Sequence, residues 1–209
     1  MSSDVFQGYD GVIWDYDGVI LDSDEIREFG FVECLKAFPS HEVDQLLAFH
    51  RENGGLSRFV KFRHFFEVIR KEELTEERLS QLCAKFSSIM RQKLESKSLL
   101  LQCAIRQIQH NHQMGRPQFI ASGSAQDELR VLCKAQDIDT YFDGIFGSPT
   151  HKNDIVAAII RERPELDTWC LIGDSINDFH AAEKSNIDFF GVRNDSLKTR
   201  GNRYLEDWQ

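Results

Sequence analysis

The chain changes rhythm near residue 99, and that change limits its fold more than any other feature. Beyond it, short apolar runs alternate with helical stretches. Phe119-Ile120-Ala121, Gly144-Ile145-Phe146, Trp169-Cys170-Leu171-Ile172 and Phe189-Phe190-Gly191-Val192 read as buried strands, with helices near 99–112, 124–135, 153–162 and 178–184. An earlier run, Val12-Ile13-Trp14, has the same strand character. Strands that alternate with helices predict a doubly wound parallel sheet, an α/β core with helices on both faces. Between residues 22 and 101 no strand pattern occurs. Ile26, Phe29, Val32, Cys34 and Leu35 fit one helix face, and Phe59, Phe62, Phe65, Phe66 and Ile69 fit a second. Leu79, Leu82, Cys83, Phe86, Ile89, Met90 and Leu94 form the clearest stripe, at spacings of three and four. The expected organisation is a core of residues 1–21 plus 99–209 that carries an inserted α-helical domain at 22–98. Ser124, with Asp127 three residues later, reads as a helix-capping pair. The polar tail from Asn194 is expected to be loosely held.

Composition narrows the partners. With 25 Lys plus Arg against 34 Asp plus Glu, the net charge is −9, which argues against a nucleic-acid backbone as the main partner. It leaves room for a phosphorylated small molecule, because local charge can oppose the global sign. No run approaches the roughly 20 apolar residues that span a bilayer, and the acidic opening MSSDVFQGYDG is unlike a signal peptide. Five widely spaced cysteines without a CxxC pair predict reduced, buried thiols, so a cytoplasmic location with no membrane partner is expected. The seven histidines form no metal-binding pattern, and no GxxxxGK[ST] loop is present.

Polar groups gather where the strands end. The first strand ends in Asp15-Tyr16-Asp17-Gly18, the next in Ser122-Gly123-Ser124, and the Trp169–Ile172 strand in Gly173-Asp174-Ser175-Ile176-Asn177-Asp178. Lys152 opens the helix between the last two. Ligands of such sheets bind beyond the carboxyl ends of the strands, so these segments should converge. Carboxylates two residues apart on a strand point to opposite faces. Asp17, however, lies past the strand end, where the chain turns, so both can face one pocket. Such a pair suits one nucleophile and one proton carrier. A lysine in a first helical turn opposes the helix dipole there, which favours a charge-neutralising role over a solvated one. Asp174 and Asp178 also fit as helix N-terminal caps.

VIWDYDGVI, FIASGS, Lys152 and LIGDSIND stand in this order between Val12 and Asp178. In them the chain resembles the haloacid dehalogenase superfamily, in its magnesium-dependent phosphatase branch with a helical cap, the branch of β-phosphoglucomutase and phosphoglycolate phosphatase. The resemblance implies a Rossmann-like core, a Mg²⁺ cofactor and an aspartyl-phosphate intermediate. It assigns Asp15 as nucleophile and Asp17 as the acid that protonates the leaving oxygen and then accepts a proton from water. The Asp15 carboxylate, the Asp17 backbone carbonyl and Asp174 should hold Mg²⁺, a set of hard oxygen ligands. Asp178 should stand near the metal, holding waters or orienting Lys152. Ser122 and backbone N–H groups at Gly123 and near Gly18 should donate to phosphoryl oxygens. Gly55-Leu56-Ser57-Arg58 resembles the cap loop of β-phosphoglucomutase-like members, so Ser57 and Arg58 are expected to face substrate. Lys61 and Arg63 read as a solvated helix face. The implied activity is hydrolysis of a small phosphorylated metabolite such as a sugar phosphate, an acidic sugar phosphate or phosphoglycolate. The alternative is a phosphomutase, although such mutases carry an acidic residue where this chain has Gly173. Dehalogenation has no use for Asp17, and a silent binding protein has no use for the full set of polar residues.

Overall fold

The structure, a computed structural model, describes residues 4–208. Six strands form one parallel sheet: β1 (Gly11–Trp14), β2 (Gln118–Ala125), β3 (Gly144–Ser148), β4 (Trp169–Gly173), β5 (Asp188–Val192) and β6 (Arg203–Leu205), in the order β3-β2-β1-β4-β5-β6. Side chains alternate across β1, so Val12 and Trp14 join one apolar cluster and Ile13 joins the other. Around the sheet pack α5 (Gln102–Gln113), α6 (Gln126–Ala135), α7 (Lys152–Arg161) and α8 (Ile176–Lys184). The strand order reverses between β1 and β4, and a crevice opens beyond their carboxyl ends at such a reversal.

Four helices lie between β1 and α5: α1 (Asp24–Leu35), α2 (Ser40–Glu52), α3 (Arg58–Arg63, continuing as a π-helical stretch His64–Ile69) and α4 (Glu76–Leu94). Their shared core is aromatic. The Phe31 ring lies 4.7 Å from that of Phe86 and 5.3 Å from that of Phe62. Gly30 lets α1 and α4 pack closely, because a Cβ there would collide with Met90. The two connections to the sheet run side by side, joined by the Asp22 N–H donating to the Leu99 carbonyl at 2.8 Å.

Three local expectations are corrected. Helix α1 buries Arg27, Gly30, Phe31, Cys34 and Leu35, while Phe29 and Val32 are 41% and 39% exposed. The helix is turned so that Arg27 reaches the strand ends. Ser124 does not cap α6: β2 runs on to Ala125, and the Ser124 hydroxyl donates to Asp17 instead. The tail is anchored, with β6 paired to β5 and Trp208 buried, its indole N–H donating to the Val19 carbonyl at 2.9 Å. All five cysteines are buried and free. Among the described residues no helix is long and apolar enough to cross a membrane.

Candidate active site

Asp15 follows β1 directly, and its N–H donates to the Ile172 carbonyl of β4 at 2.9 Å. Its carboxylate is buried and accepts the Tyr16 N–H at 2.7 Å. Lys152, the first residue of α7, has a side chain only 4% exposed, with Nζ 2.9 Å from Asp15 and also hydrogen-bonded to Asp178. Asp178 does two things. Its second oxygen accepts the Ser175 N–H at 3.0 Å and hydroxyl at 2.6 Å, closing a capping box on α8, while its first holds Lys152. Gly173 makes room for this, since a Cβ there would collide with Asp178. Gly18, at φ +74°, similarly yields space to the Asp174 carboxylate. The Gly18 N–H itself donates to Leu21 at 2.8 Å, so the turn uses the donor expected there for a phosphoryl oxygen.

Carboxylate oxygens of Asp15, Asp174 and Asp178 all lie within 4.8 Å of one another. Burial, then the charge of Asp178, pushes the Asp15 carboxyl up to about 8 against the pull of Lys152. Burial and the charge of Asp15 likewise raise Asp174 well above the usual carboxylate range. Three carboxylates against one ammonium leave two negative charges, which a divalent cation would balance, and every donor is a hard oxygen. The residues therefore fit Mg²⁺.

The Asp17 carboxylate stands apart from this cluster. It accepts from Ser23 Oγ at 2.6 Å, Arg27 Nε at 2.9 Å and Ser124 Oγ at 2.6 Å. Burial would raise its pKa, but Arg27 and the two hydroxyls prevail and hold it at about 2. The Asp17 carboxylate is thus taken up by its neighbours and lies outside the acidic cluster. The charges continue from there into the core. Arg27 Nη1 lies 2.7 Å from one oxygen of Glu128 on α6, and Arg58 Nη2 lies 2.8 Å from the other. Arg58 also donates to Ser87 at 2.7 Å and lies over the Phe86 ring. Arg58 thus borders the cavity, as expected of a residue facing substrate, with its guanidinium already engaged by Glu128 and Ser87. The Ser57 hydroxyl accepts the Val60 N–H at 3.5 Å, as the N-cap of α3.

The buried Ser122 oxygen accepts the Ser124 N–H at 3.1 Å, which fixes it beside Gly123. The Gly54-Gly55 loop of the insert rests on this strand end: a Cβ at Gly123 would collide with the Gly55 carbonyl, and Asn177 donates to the Gly54 carbonyl at 2.6 Å. Lys61 is not a solvated helix residue. It is 4% exposed, and its ammonium contacts His50 Nδ1 at 2.7 Å with no carboxylate in ion-pair range among the described residues. Burial lowers its pKa to about 7 despite the pull of Asp17, while burial and Lys61 keep His50 neutral, near 3. Asp15, Asp17, Ser122, Asp174, Arg27 and Lys61 share the wall of one cavity of about 570 Å³, its open mouth included. Sequence reading missed Arg27, His50, Lys61 and Glu128. The available signal was an ionisable residue on the buried stripe of its helix, as with Arg27 four residues before Phe31.

An acidic cluster at the reversal point of a doubly wound sheet, with a lysine held against the first aspartate and a helical insert after the first strand, is the arrangement of a hydrolase with a doubly wound core. The chain belongs to the haloacid dehalogenase-like hydrolase family, whose model matches residues 12–192. The β-phosphoglucomutase of Clostridium difficile superimposes with a TM-score of 0.77 at 14% identity, covering 95% of this chain and 91% of that one. CbbY from Rhodobacter sphaeroides, solved as a D10N mutant with xylulose-(1,5)bisphosphate, gives 0.75 at 16% identity over 94% and 93% of the chains. A predicted phosphatase from Clostridium acetobutylicum gives 0.74 at 17% identity over 95% and 94%. These likenesses show the fold. No curated protein matches the sequence.

Proposed function

We propose that the protein is a phosphomonoester hydrolase acting on a small phosphorylated metabolite. The observation that carries this reading is the division of its aspartates: Asp15 against Lys152 inside an acidic cluster, and Asp17 clamped separately at the same strand end. An Asp15 oxygen attacks phosphorus, the ester P–O bond breaks, and the phosphoryl group is held on Asp15 as an acyl phosphate. The leaving oxygen takes a proton from Asp17. Water then attacks phosphorus, gives its proton to Asp17 and releases inorganic phosphate with Asp15 restored. Ser122 and the Gly123 N–H donate to the phosphoryl oxygens, and Lys152 favours the ionised form of Asp15, which a bound cation would complete. The clamp makes Asp17 ready to accept a proton from water, whereas delivering one first requires Arg27 to loosen its hold. Asp15, Asp174 and the Asp17 carbonyl would hold Mg²⁺, with Asp178 behind them. When bound, Mg²⁺ supplies the positive charge that lets a phosphoryl dianion approach carboxylates. The insert serves as a cap that shields the reaction from bulk water.

Release of inorganic phosphate from a panel of phosphorylated metabolites, supported by Mg²⁺ and lost on chelation, tests the reading. Absence of release from every ester with Mg²⁺ present would overturn it. The mutase alternative is less well supported: a side chain at Gly173, where such mutases carry an acid, would displace Asp178. Phosphate release without a bisphosphate activator separates the two.

Two further outcomes are expected. Because Asp178 is committed to Lys152 and Ser175, Asp174→Ala should weaken Mg²⁺ binding more than Asp178→Ala does, as read from Mg²⁺-dependent melting shifts. Equal weakening would refute that division. Asp17→Asn should slow turnover roughly 10²–10⁴-fold. In single-turnover phosphorylation the loss should be smaller for aryl than for alkyl phosphates, because an aryl leaving group needs less help from an acid. An equal loss would exclude Asp17 as the acid.

A further inference from the structure

We infer that the cap holds a second anion site, made by Lys61 and Arg27, so that the substrate is a phosphate monoester whose leaving portion carries another anionic group, a carboxylate or a second phosphoryl. The inference rests on the phosphatase reading above, and two observations carry it. Arg27 uses Nε on Asp17 and Nη1 on Glu128, but its Nη2 is buried in the cavity region with no hydrogen-bond partner. Lys61 is a buried ammonium in the same cavity wall whose one polar contact is the His50 ring. Unpaired donors and unneutralised charges inside a protein are costly and are retained where a ligand completes them.

The charges around this part of the cavity give the sign of the ligand. Arg27 and Arg58 are paired with Asp17 and Glu128, Asp15 and Asp174 belong to the acidic cluster with Lys152, and Asp24 is exposed at the rim, so the Lys61 ammonium is left without a carboxylate of its own. Position identifies the part of the substrate. Arg27 and Lys61 project from α1 and α3 of the insert, whereas the transferring phosphoryl group meets Lys152, Ser122 and Gly123 at the strand ends. An anion on the leaving portion therefore meets the cap pair. Arg58, already held by Glu128 and Ser87, is not needed for this contact.

The test compares kcat/KM on phosphoglycolate with ethyl phosphate, glucose 1,6-bisphosphate with glucose 1-phosphate, and p-nitrophenyl phosphate as an ester with no second anion. Wild-type protein should prefer the doubly anionic member of at least one pair by about 10-fold or more, and the pair affected tells carboxylate from phosphoryl. Lys61→Met should reduce that preference by about 10–100-fold. It should also raise the melting temperature, since an uncompensated buried charge is gone; a purely structural lysine would do the reverse. Loss by one common factor on all five esters would assign Lys61 to the transferring phosphoryl group and overturn the inference, as would a wild-type protein with no preference. Calorimetric titration of phosphoglycolate and glucose 1,6-bisphosphate into Asp15→Asn and Asp15→Asn/Lys61→Met proteins keeps the two readings apart. Binding weakened 10–100-fold by the lysine change, without turnover in wild type, would remove the phosphatase reading alone. Unchanged binding of both ligands would remove the second anion site.

Discussion

Asp15→Asn protein should release phosphate at least about 10⁴-fold more slowly than wild type, the scale of loss when a covalent nucleophile is removed. It should nonetheless fold and melt at a higher temperature. The amide is nearly the same size but a far poorer nucleophile. The stability gain follows from the crowding of Asp15, Asp174 and Asp178. The Asp15 carboxyl is pushed from an ordinary 3.8 up to about 8, so the folded chain binds this proton more tightly than the unfolded chain. Such a group opposes folding above its folded pKa, and the penalty fades as pH falls from about 8 toward 4. In metal-free buffer, wild type should therefore gain stability on acidification through that window, and Asp15→Asn should gain less. Thermal melts from pH 4 to 9 beside phosphate-release assays check both. Near-normal turnover by the variant would overturn the nucleophile assignment, and a lowered melting temperature would overturn the account of crowding.

The largest stability loss is expected at Glu128, which does no chemistry. Its two oxygens hold Arg27 and Arg58, and all three side chains are buried. Glu128→Ala leaves two guanidinium groups without their shared carboxylate. Breaking a buried pair from one side costs about 3–5 kcal/mol, or a melting-point drop of roughly 6–20 °C for a chain of this size. Adding Arg58→Met to Glu128→Ala should recover part of the loss, because one stranded charge then disappears. Denaturant titrations of wild type, Glu128→Ala, Arg58→Met and the double variant measure the coupling directly. A loss below about 1 kcal/mol would mean that water reaches the arginines and that the network is weaker than its geometry implies.

The strands and the residues at their ends were legible because apolar runs stop abruptly at polar ones. Val12-Ile13-Trp14 ends at Asp15, and Trp169–Ile172 leads to Asp174. The charged layer between insert and core was not legible. Arg27, Lys61 and Glu128 each interrupt an apolar stripe, and a stripe is read by its apolar members, so the sequence places the face of α1 on Phe29 and Val32. What justifies a buried arginine is a carboxylate 101 residues further along the chain, and no local period reports that. The doubling of Asp178 as cap and lysine holder was open to sequence, since Ser175 three residues earlier signals the cap and Lys152 the charge. Strand β6 left no trace because three residues on a sheet edge are too few to show a period.

The Gly54-Gly55 loop touches Gly123 and Asn177 backbone to backbone and side chain to backbone. If this contact has to open for a substrate to pass on that side, the phosphate of the proposed reaction would leave by the same motion. Lifting of the loop would then set the tempo. Once chemistry is faster than lifting, turnover becomes indifferent to the acidity of the leaving alcohol and sensitive to solvent viscosity. Even a small residue at Gly123 would meet the Gly55 carbonyl and prop the loop away from the strand end, trading the dry interval that the proposed acyl phosphate needs for quicker exchange with the surrounding water.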